Sequence, residues 1–370
     1  MSMQPRVTIS TTNDISTDNR VHKVAMLLLE LGYEVTWVGR LLPTSMPLDR
    51  PYATHRMKLF FKKGGLFYAE YNVRLFFYLV RRTRGSLLLS NDLDTLLPNY
   101  MASRLRGMKL VYDTHEYFCG VPEIQGRWVK RVWQTIERSL FPRLTHVWTV
   151  NQSIAQLYED DYGIRPRVFR NISPMPEAIV PQTRAALGIS NDATLVINQG
   201  SGMNVDRGLE EAVSAVASLE KTVLLLVGSG DAIPALKERV VNEGLQDKVK
   251  FVPRVPYAKL LGYTSMADVG LTTDKSTNIN YRYSLPNKLF DYIHCGVPVV
   301  ASPVVEVKNI VESHGIGQVV DPENVEALAA AIKRVAEQSE NYKAPLKAAS
   351  EKLHWAAESQ ELKAFYAGLK

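Results

Sequence analysis

The chain has 370 residues, 46% hydrophobic and 22% charged, which excludes a disordered or fibrous protein and suits about two domains of ordinary size. Two cysteines, Cys119 and Cys295, supply neither a disulfide framework nor metal-ligand spacing, so a reducing compartment is expected. The net charge of +6 is uneven: residues 1–170 hold 24 Lys+Arg against 15 Asp+Glu, and the rest hold 20 against 23. A basic first half calls for an anionic partner: nucleic acid, an acidic membrane surface or a phosphorylated substrate. The first residues, MSMQPRVTIS, carry no signal-peptide pattern, and no run of 18 apolar residues follows, so a cytoplasmic chain is expected.

In the first half, RVTIS (6–10), EVTWV (34–38), SLLLS (86–90), KLVYD (109–113) and HVWTV (146–150) read as buried parallel strands. Helical patterns lie between them at 20–33 and 95–107, each closed by a glycine. The run 55–85 holds eight Lys/Arg, one Glu and eight Phe/Tyr. Its LFFYLV (75–80) is expected in the core, while RMKLFFKKGG has the basic-aromatic character of a segment lying on a membrane. A solvated loop and core helix is the equal alternative. No nucleic-acid motif accompanies the charge.

Residues 170–182, RNISPMPEAIVPQ, hold three prolines and little periodicity, and mark a linker. The strand rhythm then restarts at 194–200, 222–228, 248–253, 268–273, 297–302 and 317–321, with helices at 209–219 and 325–338. The expected fold class is α/β, with Rossmann-like doubly wound domains at 1–172 and 173–353 facing a cleft. A final helix, 354–370, either caps the second domain or crosses back to the first.

Within the second domain, SLPNKLFDYIHCGVPVVAS (284–302) places Ser284 as N-cap, Pro286 in the first turn, and Lys288 and Asp291 on one face. The turn's unpaired N–H groups and Lys288 make an anion site, and the Asp291 oxygens suit vicinal hydroxyls. Phosphate beside a ribose diol describes a nucleoside diphosphate. A capped surface helix with a Lys–Asp pair is the plainer reading. Two glycine turns after strands, GSGMNVDRG (200–208) and VGSGD (227–231), favour the first, with Arg207 at the start of the next helix.

These pieces, in this order and spacing, resemble the family 4 retaining glycosyltransferases of GT-B fold. The likeness reaches the first domain through TDNRVHKVAMLLLELGYEV (17–35) and KLVYDTHEYF (109–118). It implies that Arg207 and Lys288 neutralise a leaving diphosphate, that Asp291 holds ribose, and that His115 sits beside the transferred sugar. It places Gly200, Ser201, Gly228, Ser284, Leu285, Asn287 and Leu289 around the donor, several through backbone amides, with Arg254 at the nucleobase. The chain departs from the family at Tyr283, where the first acid of its Glu-x7-Glu motif would stand, and at Ser201, where a second basic residue would. In the first domain, Asp18, Asn19 and Arg20 are candidates for acceptor hydroxyls or phosphate, with Asp18 equally an N-cap. Asp94 is read as a cap and Asp92 as a second cleft residue.

The resemblance therefore implies a cytoplasmic, metal-independent, retaining transferase. It would move a sugar from a nucleotide sugar to a hydroxyl of a glycan or lipid-linked acceptor in surface polysaccharide synthesis. No cofactor is expected, and no nucleic acid. An anionic membrane surface is a possible partner of residues 55–64. A sugar-nucleotide epimerase of the same fold and a non-catalytic nucleotide-sugar binding protein are the rivals.

Overall fold

In the computed structural model, which describes residues 4–16, 18–83, 87–121 and 124–370, the apolar runs of the first half form one parallel sheet. Its strands are β1 (Arg6–Asp14), β2 (Glu34–Leu41), β3 (Ala53–Lys58), β4 (Leu87–Asn91), β5 (Lys109–Thr114), β6 (Val147–Thr149) and β7 (Arg167–Val168). Their order is β3-β2-β1-β4-β5-β6-β7. The second sheet holds β8 (Thr194–Gly200), β9 (Thr222–Gly228), β10 (Val249–Val252), β11 (Val269–Thr272), β12 (Val299–Ala301) and β13 (Gly317–Val319). Its order is β10-β9-β8-β11-β12-β13. Both are doubly wound. Strand order reverses beside β1 in one and beside β8 in the other, and the carboxyl ends of strands at such a point frame a binding crevice.

The chain divides into two units, Met1–Asn171 with Glu358–Lys370, and Ile172–Ala357. The C-terminal segment is tied to the first unit by named bonds. Tyr33 donates to the Tyr366 carbonyl (2.7 Å), Lys109 to the Leu369 carbonyl (2.8 Å), and Arg170 pairs with Glu358 (2.7 Å). Strands such as β4 are buried at every residue because helices cover both faces of a parallel sheet.

Two strands were not legible in the sequence. β3, ATHRMK, is an edge strand with only Met57 buried, so it shows no apolar run, and β7 has only two residues. The expected core run 75–80 is amphipathic instead. Its helix, Gly64–Arg82, buries Phe67, Tyr71, Leu75 and Leu79 at four-residue spacing and leaves Phe77 46% exposed. Ser86 of the expected strand 86–90, Thr17 of the stretch 17–35, and residues 84–85 of the basic run lie outside the described residues.

Candidate functional site

In the second unit, Gln199 and Gly200 end β8, and the following loop returns against β11. Gly208 makes that approach possible. Its φ is +70°, and a Cβ there would stand 2.2 Å from the Thr273 carbonyl oxygen. The loop thereby seats Arg207 beside Asp274, the second residue past β11, with Nη1 3.0 Å from Oδ2. Tyr281 backs the guanidinium, its ring centroid 3.9 Å from Cζ.

Lys288 reaches the same place from the helix Asn287–His294. Its Nζ donates to Asn198 Oδ1 (3.1 Å) and lies 3.9 Å from Asp274 Oδ1. Asp274 is 2% exposed, Lys288 12% and Arg207 21%, so the carboxylate is sealed while both cations keep an open side. Burial pulls the Lys288 ammonium below its ordinary pKa, Asp274 opposes that, and Arg207 adds to it. Asp274 escaped the sequence reading. Its one signal was position, an acid just beyond the end of a strand next to the reversal point.

Asp291, one turn after Lys288, is buried at 4% exposure. Gln199 donates to Oδ2 (2.9 Å) and the Tyr257 hydroxyl to Oδ1 (2.7 Å), which fixes the carboxylate's orientation. Burial, then Asp291, holds the Tyr257 phenol far above its usual pKa.

Two expectations here need correction. Ser284 is not the N-cap, because the helix begins at Asn287 behind Pro286, whose extended backbone (φ −74°, ψ 140°) occupies that position. The Ser284 hydroxyl is buried without a hydrogen bond. The Leu289 amide is already donated to the Pro286 carbonyl, and its side chain is core. Leu285 packs partly on that core, while Asn287, Ser201 and Arg254 are exposed.

In the first unit a second cluster gathers at the ends of β1, β4 and β5. His115, just past β5, donates its backbone N–H to Asp92 Oδ1 (2.9 Å) and places Nδ1 3.2 Å from Oδ2. Its Nε2 lies 3.6 Å from Asp113 Oδ2, an ion-pair distance longer than a hydrogen bond. Asp92 holds this position at φ 59° and ψ 164°, a region nearly reserved for glycine and costing about 1–3 kcal/mol for other residues. Burial works against a charged imidazole, but the Asp92 and Asp113 carboxylates outweigh it and lift His115 to about 10.

Asp94 is not a cap. It is buried and accepts from the Thr12 hydroxyl (2.5 Å), and burial, then Asp92, raises its carboxyl to about 7. Asp18 is the cap of the first helix, accepting from the Val21 amide, with Asn19 exposed beside it. Arg20, the third candidate, is 6% exposed and paired with Asp113 (2.8 Å). Among the described residues, no group of three His, Cys, Asp or Glu side chains could hold a metal ion.

The family model described as "Glycosyl transferases group 1" matches residues 196–338, and "Glycosyl transferase 4-like domain" matches 17–173. The chain belongs to the family 4 glycosyltransferases. It resembles WcaI of Escherichia coli K12, named as a colanic acid biosynthesis glycosyl transferase, with 27% identity over 163 residues. That match spans 43% of this chain and 39% of the relative. Among solved structures, sucrose-phosphate synthase of Thermosynechococcus elongatus superposes with a TM-score of 0.80 at 18% identity, covering 99% of both chains. Anabaena HepE in complex with UDP-glucose gives 0.71 at 15% identity, covering 98% of this chain and 99% of that one. The fold is GT-B.

The His115 geometry makes a pH prediction. An imidazole raised from about 6.5 unfolded to about 10 folded contributes stability that is complete below pH 6.5. That stability fades as pH rises through 10. The stability gap between wild type and His115→Gln, measured in urea melts at pH 6, 8 and 10, is expected to be widest at pH 6 and narrowest at pH 10. A gap that widens with pH contradicts a cationic His115.

Proposed function

We propose that the protein is a retaining, metal-independent transferase that moves a sugar from a nucleotide sugar to a hydroxyl of a glycan or lipid-linked acceptor in surface polysaccharide synthesis. The observation that carries this reading is the juxtaposition of Arg207 and Lys288, open on one side, at the strand-reversal point of the segment that matches the group 1 model. Negative charge grows on a leaving diphosphate as the sugar bond breaks, and fixed cations there stabilise it. Asp291, oriented by Gln199 and Tyr257, takes the ribose hydroxyls. His115, in the first unit, is held as a cation by Asp92 and Asp113. The acceptor's proton passes to the leaving phosphate on the same face.

Relatives point to the substrate classes. HepE is described with UDP and with UDP-glucose, WcaI by colanic acid biosynthesis, and WaaG by lipopolysaccharide biosynthesis. Tyr283, in place of the family's first acid, favours a second reading, a nucleotide-sugar binding protein without turnover. Incubation with UDP-glucose and related donors in the presence of EDTA separates the two. Slow donor hydrolysis or transfer with retained anomeric configuration supports the proposal. Inversion, a requirement for metal, or no turnover with any donor contradicts it.

We place the enzyme peripherally on an anionic cytoplasmic membrane face through residues 55–64. No described helix is long and apolar enough to cross a membrane. The Glu70 carboxylate accepts from the Phe60 and Phe61 amides (2.9–3.1 Å), which fixes the loop with Phe60 83% exposed. Leu66 (62%) and Trp128 (73%) are also exposed, and Trp128 lies against Gly65. Lys58, Lys62 and Lys63 are exposed beside them, each able to contribute about 1 kcal/mol at an anionic surface. Arg56 contributes less freely, since it donates to the Met46 carbonyl. Flotation is expected to rise with anionic lipid and fall with salt. Replacing Arg56, Lys58, Lys62 and Lys63 with Ser is expected to abolish it. Equal recovery on neutral vesicles returns the segment to a solvated loop.

A further inference from the structure

We propose that Asp274 is a positioning residue that keeps Lys288 protonated and the Lys288–Arg207 pair together as one anion-binding unit. The inference rests on the reading of these cations as a diphosphate site and adds a residue to it.

Asp274 lies 3.0 Å from Arg207 and 3.9 Å from Lys288, and it is the most deeply buried of the three. Neither of its oxygens receives a hydrogen bond, so the Arg207 contact is an ion pair off the hydrogen-bonding line. What Asp274 faces is two cations that would otherwise repel each other. Among the described residues, the groups facing Lys288 are Asp274 beyond β11, Arg207 in the loop after β8, and the neutral Asn198 amide of β8. Asp274 is thus the one negative charge among them. Without it, a buried ammonium beside a guanidinium sheds its proton readily, because burial and a like charge both disfavour the charged form.

Two consequences distinguish this from a purely structural carboxylate. Removing an anion from an anion site ought to tighten binding by simple charge balance. Here it is expected to weaken binding, and to do so progressively as pH rises. Restoring a cation that cannot lose its proton is expected to reverse the pH dependence.

The test is calorimetric binding of UDP and GDP to wild type, Asp274→Asn and the double variant Asp274→Asn/Lys288→Arg, at pH 7, 8 and 9. Wild type is expected to bind one nucleotide with affinity constant within about twofold over this range. Asp274→Asn is expected to lose at least about tenfold between pH 7 and 9, or about 1.4 kcal/mol, and the double variant to be level again. Should Asp274→Asn not fold, Asp274→Glu keeps the charge and is expected to remain level with pH.

Equal or tighter binding by Asp274→Asn at every pH, or a pH slope unaffected by Lys288→Arg, overturns the inference. So does a pH-dependent loss in Asp274→Glu. Wild type that binds neither nucleotide overturns the donor-site reading and this inference together, whereas failure confined to the variants leaves the donor site standing.

Discussion

Replacing Arg207 or Lys288 with alanine is expected to lower turnover about 100-fold or more, with donor saturating. Each cation is partly exposed, and its position is fixed before a ligand arrives. Arg207 is backed by Tyr281, and Lys288 is anchored on Asn198. Preorganised charge of this kind is worth about 3–4 kcal/mol if comparable to one oxyanion-hole donor, and each 1.36 kcal/mol is tenfold in rate. The loss should fall on turnover more than on donor affinity, because the charge that these groups meet is largest in the transition state. The double variant is expected to lose less than the product of the single losses, since both cations share Asp274. Steady-state kinetics of the three variants measures this. Near-normal turnover in both single variants contradicts the phosphate assignment.

Gly228→Ala is expected to destabilise the second unit by about 2–6 kcal/mol. Gly228 ends β9 directly across from Gly200 at the end of β8, both with φ near +140°. A Cβ on Gly228 would stand 1.8 Å from the Gly200 carbonyl oxygen. That contact is backbone against backbone, so no side chain can turn aside. A non-glycine residue at such a φ costs about 1–3 kcal/mol, and overpacking adds about 1–3 kcal/mol. Gly202→Ala is the control, since nothing lies within 4 Å of its Cβ position. Thermal melts are expected to separate the two variants clearly, with the Gly202 variant close to wild type. Equal melting temperatures contradict the packing described.

The second sheet was legible because most of its strands are apolar runs bounded by glycine or proline. β8 and β9 have the expected limits, Thr194–Gly200 and Thr222–Gly228. The first sheet was less legible at its edges, where β3 shows exposed polar residues to solvent and carries no pattern. At the site, the residues that could be anticipated carry their chemistry in a local motif: Arg207 before a glycine, and Lys288 and Asp291 one turn apart. Asp274 and Asp113 act through partners 67 and 93 residues away in sequence, and no spacing announces them. Arg20 shows the converse. It stands in a loop-to-helix position where a ligand contact is plausible, yet its partner is the buried Asp113. Ser284 likewise has the residue type of a cap, but Pro286 sets the helix start.

The central claim is that the second unit binds a nucleotide sugar through Arg207, Lys288 and Asp291. A thermal-shift panel of nucleotide sugars and their diphosphates tests it most directly. One nucleoside series is expected to stabilise the wild type, by about 2.7 kcal/mol at 100 times its dissociation constant, with the shift reduced in Asp291→Ala. No shift with any nucleotide sugar or diphosphate, or an undiminished shift in Asp291→Ala, contradicts it.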